Sequence, residues 1–100
     1  MSLKKGEFFI TAKSKNGKGL VRKPVKGYIN EDISIGYDHR RSDEWFATDI
    51  ESGYKVASGW TLKDCQMNVG DVIDKVKKFR EMSDYKEQIE KIKKYPIERQ

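Results

Sequence analysis

The spacing of hydrophobic residues in this chain changes once, at Thr61, and that change constrains the fold more than any other feature. Before it, apolar residues recur at every second position in several short runs. After it they recur at every third and fourth. A period of two belongs to a strand with one buried face, and a period near 3.6 to a helix with an apolar stripe. A sheet laid down first and covered by later helices is the expectation, an α+β fold.

The first half divides into five runs. Phe8, Ile10 and Ala12 share one face of a strand over residues 7–13, and a polar turn with Asn16-Gly17 follows. Val21, Val25 and Ile29 are in phase over residues 20–29, where Pro24 demands an edge or a bend because it has no amide to donate. Residues 33–37 alternate after a turn at Asn30-Glu31-Asp32, and residues 45–58 read as a hairpin turning at Glu51-Ser52-Gly53. Short connections between consecutive strands favour an antiparallel meander of about five strands.

Leu62, Cys65, Val69, Val72, Ile73, Val76 and Phe79 then form one helical stripe, started by Thr61 as cap with Asp64 in the first turn. Gly70 costs roughly 1 kcal/mol against alanine and is where a break is expected. Ser83-Asp84 reads as a second cap, opening a final helix with Tyr85, Ile89 and Ile92 on its face and Pro96 at its end. That stripe is thin and its flanks carry pairs such as Glu87–Lys91 and Glu90–Lys94, the pattern of a helix docked loosely or onto a partner. The reading is one α+β domain over residues 1–100, with the sheet over 7–59, an amphipathic helix packed on it and a second C-terminal helix, the helical part covering 61–95.

Composition narrows the function. One cysteine and one histidine support neither an internal disulfide nor a zinc cage, and no metal or cofactor is expected. The longest apolar run, Phe8-Phe9-Ile10, falls far short of the roughly 20 residues of a membrane span. The opening Met-Ser-Leu-Lys-Lys-Gly-Glu has no apolar stretch, so no secretory signal is expected and a cytoplasmic location follows by elimination. The net charge of +5 is uneven: residues 1–30 carry +7, residues 31–60 carry −4, and the remainder carries +2.

Catalytic constellations are thin. His39 stands between Asp38 and Ser42, but a general base needs an orienting carboxylate and a nucleophile within reach in space. A solvated loop is the simpler reading of that stretch. Arg40 and Arg41 have the planar forks that grip a phosphate or carboxylate and are the candidate anion-binding pair. Cys65 falls on the apolar stripe and reads as core. Nucleophile-elbow, Walker and dinucleotide-binding spacings are missing, so a non-enzymatic protein is expected.

Two binding readings remain. Lys13, Lys15, Lys18, Arg22, Lys23 and Lys26 surround the first hairpin with Phe9 and Tyr28 among them. Cations interleaved with rings on a sheet suit a single nucleic acid strand, the charge meeting phosphates and the rings meeting bases. Phe9, Tyr28 and Phe46, set on the sheet face away from the first helix, would instead make an interface for a protein partner or a second copy. The run from Trp45 to Cys65 resembles small bacterial or phage-type proteins and implies no activity. A sheet followed by a helix is similar, in topology alone, to single-strand-binding transcriptional coactivator domains. The leading expectation is an accessory protein acting on a protein partner through a free sheet face and its last helix. Nucleic-acid binding through the basic hairpin is the alternative.

Overall fold

In the computed structural model, which describes residues 3–40 and 43–99, β1 (Lys4–Lys13) and β2 (Leu20–Asn30) form a long hairpin. Its turn closes with the Ser14 amide donating to the Gly19 carbonyl at 3.0 Å, and Gly17 and Gly19 adopt φ of +73° and +87°. Those values are open to glycine and strained for other residues. β3 (Ile35–His39), β4 (Trp45–Asp49) and β5 (Lys55–Gly59) follow, and the five strands lie in the order β1-β2-β3-β4-β5, each antiparallel to its neighbour. The expected meander is present. β3 starts two residues later than the alternation suggests, because Ser34 turns with φ of +54° and leaves Ile33 outside the ladder.

Pro24 is accommodated by hydrogen-bond phase. Thr11 and Arg22 are paired across the hairpin, yet the Thr11 amide donates to Gly53 O at 2.9 Å and the Arg22 amide to Pro96 O at 2.8 Å. Both amides therefore point out of the hairpin. Two residues along, the Phe9–Pro24 pair has the same orientation, so the amide that proline lacks is one that β1 does not need.

Residues paired directly across an antiparallel ladder share a face. One face carries Tyr28, Ile35, Tyr37, Ala47, Trp45 and Ala57, and α1 (Leu62–Arg80) lies on it. Cys65 and Val69 of α1 complete a buried cluster with Ile35, Tyr37 and Ala47. Thr61 caps the helix by accepting from the Asp64 amide at 3.0 Å. α1 runs unbroken through Gly70, against the expected interruption. Packing of Val69 and Ile73 on the sheet on either side of it outweighs a penalty of about 1 kcal/mol.

The opposite face is not left free, as the sequence reading supposed. Phe8, Gly36 and Thr48 belong to it by register, and the sheet coils until the Phe8 ring on β1 rests against Gly36 on β3. A Cβ at Gly36 would lie 2.6 Å from that ring. Coiling also brings β1 to the turn after β4, where the Thr11 hydroxyl donates to Ser52 O at 2.6 Å. Phe8, Val21 and Thr48 are consequently buried. Strand twist accumulated over five strands closes what a flat sheet would expose.

α2 (Ser83–Ile92) buries Tyr85, Ile89 and Ile92 within its own chain. Met82, rather than Ser83, occupies the cap position and makes no side-chain capping bond. The helix ends four residues ahead of Pro96, and the chain then runs along the free edge of β2, with Glu98 N donating to Arg22 O at 2.9 Å in a parallel bridge centred on Ile97. No helix among the described residues is long and apolar enough to cross a membrane.

Candidate nucleic-acid interface

α1 covers the β4–β5 end of its sheet face, and the β1–β2 part of the same face extends beyond it. Register places five side-chain pairs along that extension: Lys5–Tyr28, Glu7–Lys26, Phe9–Pro24, Thr11–Arg22 and Lys13–Leu20. Its middle is partly covered, because Phe9, Thr11 and Arg22 face Ser52 and Gly53 of the turn after β4 and Ile92 at the end of α2. Pairs two residues apart are spaced by roughly 7 Å, giving a strip of about 27 Å. Near its start lies an open concavity of about 560 Å³ lined by Lys5, Gly6, Glu7, Lys26, Gly27 and Tyr28.

Aromatic rings continue the strip onto β3 and β4. The Tyr28 ring lies 6.2 Å from that of Trp45, tilted by 38°, and Trp45 stacks on His39 at 5.1 Å and 21°. All three belong to one face because Tyr28 pairs with Tyr37 and His39 with Trp45. Tyr28 and Trp45 are half-buried, while the His39 side chain is 49% exposed. Lys5, Lys26 and Lys13 are exposed along the same run. The arrangement can take planar rings on Tyr28, Trp45 and His39 and anions on the lysines.

The six cations of the first hairpin do not form one patch. Lys13 and Lys26 lie on the strip, and Lys15 and Lys18 stand exposed in the turn. Arg22 lies on the strip but spreads over the Phe9 ring at 5.6 Å and donates to Tyr95 O at 3.2 Å. Lys23 points to the other face, 3.5 Å from Glu98. The three expected interface aromatics are also separated. Phe9 and Tyr28 share the α1 face, whereas Phe46 is paired with Asp38 and Ser58 on the opposite one. Phe46 is flanked there by Arg40 at 4.2 Å and Lys55 at 5.4 Å.

Arg40 is engaged elsewhere than the anion reading requires. Its Nε donates to Asp38 Oδ2 at 2.8 Å, so its fork is already turned to a carboxylate of its own chain. Arg41 and Ser42 lie outside the described residues. His39 meets the Trp45 ring and, at 3.9 Å, Asp43. The Cys65 thiol is fully buried, and burial followed by the Asp38 charge pushes its pKa up to about 11, so it stays protonated at neutral pH. Among the described residues no group of three His, Cys, Asp or Glu side chains could hold a metal ion.

The sequence reading missed Lys5, Trp45 and His39 as members of the strip. Alternation assigns faces within one strand, and only the pairing register says which face of β1 continues which face of β4. No protein-family model, no curated protein and no solved structure matches the chain.

Proposed function

We propose that the protein is a non-enzymatic binder of single-stranded nucleic acid, using the strip from His39 to Lys13. The observation that carries this reading is the chain of rings Tyr28–Trp45–His39, beginning beside the α1 core and running directly into the exposed Lys5 and Lys26 on the part of the same sheet face beyond the helix. Unpaired bases stack on such rings at about 1–3 kcal/mol each with little regard to sequence, while ammonium groups follow the phosphates. Duplex bases are stacked on each other and cannot reach the rings. Glu7 sits amid the strip and weakens its field, which suits modest affinity.

Fluorescence anisotropy with a labelled oligothymidylate at low salt tests the proposal. Binding is expected to weaken with salt at a log–log slope of about −2, as three lysines displace counterions from a single strand. Tyr28→Ala should cost roughly tenfold in affinity, and Lys5→Glu with Lys26→Glu should flatten the salt slope. An oligothymidylate that leaves anisotropy unchanged at low salt, up to about 100 μM protein, overturns it.

A second reading, self-association, is favoured by Trp60 and Met67, exposed by 70% and 62% at the N-terminal end of α1. It rests on those side chains and not on the opposite sheet face or on α2, both of which pack within the chain. Sedimentation that finds a monomer at about 100 μM, far above ordinary oligomer affinities, removes it.

A further inference from the structure

Beyond α2, the chain places one carboxylate among three donors of different kinds. Glu98 Oε2 accepts from the Ser14 hydroxyl at 2.8 Å, Oε1 accepts from the Lys15 amide at 3.1 Å, and the Lys23 ammonium stands 3.5 Å from Oε1. The Ser14 bond above all, helped by the Lys15 amide and the Lys23 charge against some desolvation, holds the Glu98 carboxyl below the usual range. The segment that delivers it is light: two main-chain bonds tie residues 96 and 98 to Arg22, and Ile97 remains exposed. Lys13, Lys15 and Lys18 stand exposed nearby, so this carboxylate occupies the most basic part of the hairpin.

We infer that Ser14, the Lys15 amide and Lys23 form an oxyanion site for a phosphate group, and that Glu98 is its built-in competitor. A hydroxyl, a main-chain amide and an ammonium converging on two oxygens is the donor set that phosphate uses, and phosphate offers more acceptor oxygens than the carboxylate it displaces. The site lies at the turn end of the hairpin, next in sequence to Lys13 of the strip, with Lys23 contributed from the opposite face. Its use by a strand rests on the single-strand reading, in which the phosphate is a backbone phosphodiester; free phosphate ester has the same chemistry. While the tail is docked, apparent affinity for phosphate falls by the fraction of molecules in which it is open.

The test is a nuclear magnetic resonance titration of the Lys15 amide with inorganic phosphate, in the wild type and in Glu98→Ala. Saturable shifts are expected in the variant at a phosphate concentration about tenfold lower than in the wild type. Ser14→Ala in the same background should reverse the gain. Glu98→Gln, which keeps the size and loses the charge, should fall between the two and carries the test if the alanine variant loses its dispersed spectrum. A Lys15 amide that answers phosphate no better without Glu98 than with it overturns the inference. A parallel titration with oligothymidylate separates the sources: tighter binding by Glu98→Ala identifies the backbone phosphodiester, and a gain confined to inorganic phosphate identifies a free phosphate ligand. Failure of the Tyr28→Ala prediction alongside a retained phosphate gain would remove the single-strand reading and leave this site standing.

Discussion

Asp49 accepts four hydrogen bonds at the end of β4: from Arg80 Nη2 at 2.8 Å and Nε at 3.2 Å, from the Tyr85 hydroxyl at 2.6 Å, and from the Ser52 hydroxyl at 2.8 Å. It joins β4 to the end of α1, the start of α2 and the turn that receives β1. Removing one partner of a buried ion pair strands the other, so Asp49→Ala should cost about 3–5 kcal/mol in urea unfolding. A cost below about 1 kcal/mol would show that water satisfies Arg80 and Tyr85 equally well. In the sequence Asp49 is indistinguishable from the acidic turn residues around it. Its main partner, Arg80, lies 31 residues away, and nothing in either local pattern announces the pair.

At the scale of elements, local pattern was legible wherever one face is buried and the other solvated. β1, β2, β4, β5 and α1 appear close to where periodicity places them, because alternation and the 3.6 repeat are direct images of burial. The misjudged places are those where local preference yields to packing. Gly70 does not break α1, and nothing lies within 4 Å of where its Cβ would stand. Gly70→Ala should therefore stabilise the protein by about 0.5–1 kcal/mol, read as a raised denaturation midpoint with unchanged slope. A destabilised variant would mean that Gly70 serves a conformation other than a straight helix. α2 shows the same effect from the other side: its thin stripe of Tyr85, Ile89 and Ile92 is enough, because all three find partners in the same chain.

For the whole molecule, coiling of the sheet determines what remains available for function. It buries Phe8 over Gly36, closes the face expected to be free, brings the turn after β4 against Thr11, and leaves Lys5, Glu7 and Lys26 at one end of the β1–β2 strip, with Lys13 at the other, as the exposed part of the α1 face. Burial also couples the core to alkaline pH. The Cys65 thiol titrates near 11 instead of 9.0 and the Tyr37 hydroxyl near 12 instead of 10.0, in both cases chiefly because burial disfavours the anion. Both groups hold their protons longer when folded than when unfolded. The stability they contribute is complete below about pH 9 and drains away as pH rises through 11 and then 12. Urea midpoints should fall across that range, and Cys65→Ala should flatten the first part of the decline. A wild-type midpoint level up to pH 12 would contradict it.

The sequence by itself determined the order of elements, the antiparallel meander, the stripe of α1 and the inward place of Cys65, since each is written in the spacing of neighbouring residues. Only the tertiary structure decided which side of the sheet stays open, which rings meet which lysines, and that Glu98 returns to the first hairpin. Those outcomes depend on register and twist, which are summed over the whole sheet and set by contacts between residues far apart in the chain.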